Sequence, residues 1–259
     1  MNDFYQFKKT STWTLVRREV MRVIRLWRQT ILPSVITTVL YFSIFGMVLG
    51  SRVGLIDGVR YVEFVAPGLV MLSVVTNSYG NTAFSVFIDR FHRWFEELLS
   101  SPLTDHQIIF GFLMGSVFRG VLCGLVVWLT TICYLGFSME HPILFIFANL
   151  LTAVVFSMLG LVNGLVARSF DDLNVMTTFL LNPLVMLGGV FYSITMLSPF
   201  WQKAAMLNPL LYVSNLFRFC MLGTSNINSI IVISVLFGLM FFLYGLTLWL
   251  MRSTNYVRQ

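Results

Sequence analysis

The sequence predicts an all-α polytopic membrane protein, and three observations lead there. First, 57% of the 259 residues are hydrophobic and only 11% are charged, against roughly 45–50% apolar and about 25% charged in a soluble domain. A chain of this size does not bury enough surface in water to hide that excess. Second, the apolar residues come in long charge-free runs, not in the short alternating segments of a barrel. Third, the basic residues gather on alternate loops, the pattern that orients helices in a bilayer. Soluble, disordered and fibrous classes are excluded together.

A helix needs about 20 apolar residues to cross roughly 30 Å of hydrocarbon. Six spans meet that length, at 31–50, 64–88, 111–139, 143–167, 172–190 and 227–251. The fifth apolar run continues to Gln202, too long for one crossing, and Gly188-Gly189 interrupts it. Residues 191–218 are therefore expected as a re-entrant outer-leaflet hairpin. The whole chain, 1–259, reads as one transmembrane domain.

Seven of the seventeen Lys and Arg residues precede the first span. With the N-terminus inside, cytoplasmic segments hold twelve basic residues and the opposite side four (Arg52, Arg60, Lys203 and Arg218). That asymmetry puts both termini in the cytoplasm. It is a membrane-orienting pattern and no nucleic-acid partner is expected from it. Residues 11–29 form an amphipathic interfacial helix. Trp13, Val16, Val20, Val23, Ile24 and Trp27 share one arc, and Arg17, Arg18, Arg22, Arg25 and Arg28 lie opposite.

Chemistry-bearing motifs are sparse. His92, His106 and His141 do not pair with Cys or acids at metal-ligand spacing, and Cys123, Cys133 and Cys220 form no CxxC. Neither GxSxG nor GxxxxGK[ST] occurs, so no catalytic, cofactor-binding or metal residue is expected in this chain. All eleven Asp and Glu residues fall at span ends or in loops, which argues against an ion-coupled carrier with midplane acids.

The loop between spans two and three carries a second amphipathic pattern. Phe91, Trp94, Phe95, Leu98 and Leu99 recur at helical spacing around Glu96 and Glu97, and Ser100-Ser101-Pro102 closes the segment. Thr104 with Gln107 then forms a capping box for the next helix. A short cytoplasmic helix at 91–100 follows, resting on membrane lipid or offered to a soluble partner. Two polar stripes run at i, i+4, i+8: Ser73, Asn77 and Asn81 on span two, and Asn174, Thr178 and Asn182 on span five. Such amides bridge helices or line a cavity. Arg119 either marks a membrane boundary, snorkelling outward, or faces the interior. Asp171 and Asp172 follow Ser169 in a helix-capping pattern.

Glu97-Leu98-Leu99-Ser100-Ser101-Pro102 resembles the E-L-L-x-x-P stretch of ABC-2 type permeases, the membrane subunits of bacterial ABC exporters. Leu181, Leu184, Leu187-Gly188, Val190 and Leu197-Ser198, followed by Pro209-Leu210, Tyr212 and Arg218, resemble that family's signature without departure. Phe170-Asp171-Asp172, Gly188-Gly189-Val190-Phe191-Tyr192 and Pro199-Phe200-Trp201-Gln202 resemble its YadH-type inner-membrane subgroup. The resemblance covers nearly the whole chain. It implies that 91–100 is a coupling helix seated in a separate ABC ATP-binding subunit, where ATP and Mg would be bound. It implies that Gly188, Gly189, Pro209, Tyr212 and Arg218 belong to an external gate, and that two copies frame one pathway in the inner membrane. The alternative from another class is a non-transporting scaffold that docks a soluble protein. Nothing in the uncharged stripes selects a cargo.

Overall fold

The computed structural model describes residues 2–49, 54–56, 58–136, 139–224 and 227–253. Apart from a short antiparallel hairpin, Leu55–Ile56 (β1) with Val59–Arg60 (β2), the described elements are helices. Five are long and apolar enough to cross a membrane: Trp27–Gly46, Tyr61–Phe91, Asp105–Leu135, Pro142–Val166 and Ser229–Arg252. We number the helices α1 (Asn2–Arg25), α2 (Trp27–Ser43), α3 (Tyr61–Phe91), α4 (Trp94–Ser100), α5 (Asp105–Leu135) and α6 (Pro142–Val166). They continue as α7 (Phe170–Val175), α8 (Asn182–Leu187), α9 (Pro199–Met206), α10 (Pro209–Leu222) and α11 (Ser229–Arg252).

Helix α3 is the axis of the bundle and packs along α6 and α5. Phe64, Val65, Val70, Met71, Val74 and Val75 on it are fully buried. Close approach is set by Gly-x-x-x-Gly pairs. A Cβ at Gly164 of α6 would lie 2.7 Å from the Ala83 carbonyl oxygen on α3. Gly160, one turn earlier, meets Tyr79 in the same way. Asn163 between them donates to the Tyr79 hydroxyl (2.8 Å) and the Leu173 carbonyl (3.2 Å), tying α3, α6 and α7 in a buried polar knot.

The largest departures from the expected boundaries fall in four places. The interfacial helix is not 11–29: α1 begins at Asn2 and breaks at Leu26, so Trp27–Gln29 already belong to α2. Nor does it only rest on lipid. Leu15, Val16, Glu19 and Val23 are buried, with Leu15 over Gly111 and Glu19 over Gly115 of α5, while Trp13, Ile24 and Trp27 stay exposed. The third span, expected from 111, starts with α5 at Asp105, where Gln107 accepts from the Thr104 amide (2.9 Å). Residues 50 and 137–138 of the expected spans lie outside the described residues.

Third, the expected fifth span at 172–190 is a composite: α7, a π turn at Met176–Leu181, then α8. Pro183 explains the turn, because it supplies no amide to the ladder, and the Asn182 amide reaches back to the Thr177 carbonyl. Eighteen residues would rise about 27 Å as an unbroken α-helix, and the π turn shortens that. Fourth, α4 starts at Trp94, not 91. Phe91 closes α3, and Arg93 takes a left-handed backbone (φ 63°) that turns the chain.

Helix parity gathers the ends. Arg252 pairs with Asp105 (3.5 Å) and Tyr244 bonds His106, so the end of α11 sits at the start of α5, beside α1 and α4. We refer to this as the basic end.

Candidate functional site

Past α8 the chain is irregular through Gly189, which has φ 68° and needs no Cβ there. Helices α9 and α10 then meet at 86°. Asn208, at their junction, donates to the Leu184 carbonyl (2.5 Å). Ser214 donates to the Gly188 carbonyl (2.6 Å) and Arg218 to the Gly189 carbonyl (2.9 Å). The orphan carbonyls at the end of α8 are thus satisfied by side chains of α10. Arg218 also lies over the Phe64 ring at 3.9 Å, a buried cation–π contact onto α3. The last turn of α10 returns to the far end of the bundle, where the His141 amide bonds the Cys220 carbonyl (2.9 Å). Pro209 opens α10, and the Tyr212 hydroxyl donates to the Met206 carbonyl (2.9 Å). The signature residues Gly188, Gly189, Pro209, Tyr212 and Arg218 therefore sit in one latched turn.

The stripe on α3 is longer than three residues. Ser73, Asn77, Asn81, Ser85 and Asp89 recur at every fourth position, and four of the five have side-chain partners on other helices. Asn77 donates to Ser34 Oγ of α2 (3.3 Å), and Asn81 to Ser116 Oγ of α5 (2.8 Å). Arg119 reaches the Asn77 and Asn81 amide oxygens at 3.4 and 3.3 Å. Arg119 lies one turn beyond Gly115, where α1 crosses α5, so it is inside the bundle rather than at its rim. On insertion scales a central arginine costs about 2.5–3.5 kcal/mol, which makes its surroundings informative. With Ser34, Thr38, Tyr41, Ser73 and Asn77 it lines a cavity of about 380 Å³ between α2, α3 and α5. Asn174, Thr178 and Asn182 are not part of it. They are exposed on the composite helix α7–α8.

Lower on the same stripe is a charged cluster that sequence reading passed over. Glu19 is 1% exposed. It accepts from Arg22 (2.8 Å), Ser85 (2.9 Å) and Arg18 (3.1 Å). Asp89, also buried, accepts from Arg18 at 2.5 Å. Burial alone would lower the Arg18 pKa, but Asp89 and Glu19 outweigh it and hold the guanidinium above its ordinary value. The available signal was Gly111-x-x-x-Gly115, a groove that admits a second helix. Arg90 was likewise missed: it donates to the Gly164 and Ala167 carbonyls, both at 3.0 Å, and caps α6.

Helix α4 divides the expected coupling residues. Phe95 is 2% exposed and packs at 6.2 Å from Phe112, inside its own chain, with Leu98 and Leu99 half-buried behind it. Trp94 (49% exposed), Glu96 and Glu97 face outward with Phe91, and His92 stacks on Trp94 at 4.8 Å. The two orientations follow from the α5 contact, since both aromatics are large and mostly apolar. No group of three or more potential metal ligands occurs among the described residues.

Long apolar helices around a polar, cation-lined cavity, with a short helix exposed at the basic end, have the construction of a membrane permease. Residues 10–222 match the family described as ABC-2 type transporter, and the chain belongs to that family. It is similar to the inner membrane transport permease YadH of Escherichia coli K12, 42% identical over 236 residues that cover 91% of each chain. Nodulation protein J of Neorhizobium galegae is 28% identical over 214 residues, 82% of this chain and 81% of that one. Nodulation protein J of Rhizobium leguminosarum bv. viciae is 27% identical over 216 residues, 81% of this chain and 83% of that one. The chain is a multi-pass inner-membrane transport permease, in a family whose members are transport proteins rather than enzymes.

Proposed function

We propose that this chain is the membrane subunit of an ATP-driven exporter, working as a dimer with a separate ABC ATP-binding subunit that holds ATP and Mg. Both termini and α4 then face the cytoplasm, as the twelve-to-four distribution of basic residues favours. The observation that carries the reading is the exposed face of α4. Trp94, Glu96 and Glu97 project from a short helix that Phe95, Leu98 and Leu99 anchor to the bundle. A lever needs both features, a rigid root and a free handle. The dimer is supported by α7–α8, whose exposed Asn174, Thr178 and Asn182 are costly against lipid and are relieved by a second copy. In this arrangement Gly188–Arg218 would form the outer gate, and the α3 stripe with Arg119 would line the route.

Trp94→Ala should weaken recovery of the ATPase by about 2 kcal/mol or more, the size of an aromatic hot spot. Glu97→Gln should leave assembly intact and reduce transport per ATP hydrolysed. The assay is pull-down in detergent at matched permease levels, followed by ATPase and transport measurements in vesicles. Undiminished ATPase recovery with Trp94→Ala would overturn the coupling assignment and leave the scaffold reading, in which α4 docks a protein without an ATP cycle.

A further inference from the structure

We propose that the cavity between α2, α3 and α5 binds the phosphate-bearing headgroup of an anionic amphiphile, with Arg119 as the charged contact. This goes beyond the exporter assignment and holds whether or not ATP drives the protein. Three observations carry it.

The first is unbalanced charge. No carboxylate lies within ion-pair distance of Arg119 among the described residues, whereas the half-exposed cations of α1 at this end, Arg18 and Arg22, are matched by the buried Glu19 and Asp89. Its two amide contacts are long, at 3.4 and 3.3 Å. A guanidinium has five N–H donors in a planar fork that suits phosphate or carboxylate oxygens. Arg119 lines the cavity, and no Asp or Glu is among the residues that line it.

The second is the wall itself. Ser73 is buried, and its hydroxyl has no hydrogen-bond partner among the described residues. A buried hydroxyl left in that state needs a reason, and Ser73 shares the cavity with Arg119. Ser34 and Thr38 use their own hydroxyl hydrogens on the Thr30 and Ser34 carbonyls (3.2 and 2.7 Å). Ser34 Oγ already accepts from Asn77 at 3.3 Å, so the Thr38 oxygen is the one left to accept from a hydroxyl of a polar headgroup.

The third is access. The cavity starts at Gln29 and Thr30, just past the break between α1 and α2, and exposed Thr37 and Thr76 flank its side. Exposed Leu32, Ile36 and Leu40 continue along α2. A headgroup can therefore enter sideways from the leaflet at the basic end while its acyl chains stay in lipid.

The test uses the full-length protein in phosphatidylcholine nanodiscs, titrated with phosphatidylglycerol and read by native mass spectrometry. One phosphatidylglycerol per chain should be retained above the phosphatidylcholine background. Arg119→Gln, which preserves a donor for Asn77 and Asn81, should weaken retention about tenfold or more, as expected for loss of charge-assisted bonds. Arg119→Lys should retain part of it. Ser34→Leu fills the cavity but keeps the charge, and should lose binding as well, which covers the case of an unfolded Arg119 variant. Inorganic phosphate separates the sources. Displacement of the lipid by phosphate identifies a site for the anion itself, and resistance identifies the lipid headgroup; either result with Arg119 dependence supports the proposal. Equal retention by the wild type, Arg119→Gln and Ser34→Leu would overturn it.

Discussion

Replacing Glu19 by Gln removes a negative charge from the dock between α1 and the bundle while keeping its volume. The carboxylate has three partners: Arg22 at 2.8 Å, Ser85 at 2.9 Å and Arg18 at 3.1 Å. Stripping one member from a fully buried pair costs about 3–5 kcal/mol, mostly because the other charge is left without solvent. That ceiling does not apply here. The Arg22 side chain is 33% exposed and Arg18 keeps Asp89, so both cations recover hydration or a partner. The loss is instead that of one or two bonds to a charged group, about 1.5–3 kcal/mol. For a chain of this length that corresponds to roughly 3–12 °C in Tm. Thermal denaturation in detergent, followed by size exclusion, measures it. A double-mutant cycle with Arg22→Gln should give a coupling of about 1 kcal/mol or more, since the residues touch. Wild-type melting of Glu19→Gln together with strict additivity would refute the docked helix, and α1 would then be an anchor resting on lipid.

Three further expectations follow from the geometry. Phe95→Ala should destabilise the permease itself by about 3–5 kcal/mol, because its ring is buried against Phe112; lower expression and Tm without any partner present would show this. Arg218→Gln should cost about 2–3 kcal/mol through the Gly189 bond and the Phe64 contact, read as a lower Tm and faster proteolysis within 190–208. With the native cysteines replaced, cysteines at Ser100 and Ser169 should resist an impermeant thiol reagent in intact cells, whereas cysteines at Leu55 and Glu140 should react. Labelling at Ser100 would reverse the orientation and remove α4 from the cytoplasm.

Composition and charge order determined the class of this protein before any packing was known. A charged fraction of 11% and runs of about 20 apolar residues admit only bilayer-spanning helices. Short-range chemistry was equally legible. Ser169 accepts from the Asp172 amide (3.1 Å), and Gly188-Gly189 ends α8, because caps and left-handed turns depend on a few neighbouring residues. The signature from Leu181 to Arg218 was visible as spacing. That Arg218, Ser214 and Asn208 cap the carbonyls of α8 was not, because the capped groups lie 24 to 29 residues away.

What periodicity withholds is the identity of the surface that each face meets. Trp94 and Phe95 are adjacent aromatics of similar apolarity; only the position of Phe112 on α5 decides that Phe95 turns inward and Trp94 outward. Glu19 lies on an amphipathic helix where a carboxylate ordinarily faces water. It is buried because Gly111 and Gly115, more than ninety residues later, leave a groove for α1, and because Ser85 and Arg22 close over it. Arg119 is the same case in reverse. Its sequence neighbours allow a boundary or an interior site, and only the meeting of α2, α3 and α5 encloses it with Ser73 and Asn77. Hydrophobicity is additive along a chain and so can be read from it. Burial of a charge depends on which distant helix supplies the counter-charge or the space, and that is settled only when the helices pack.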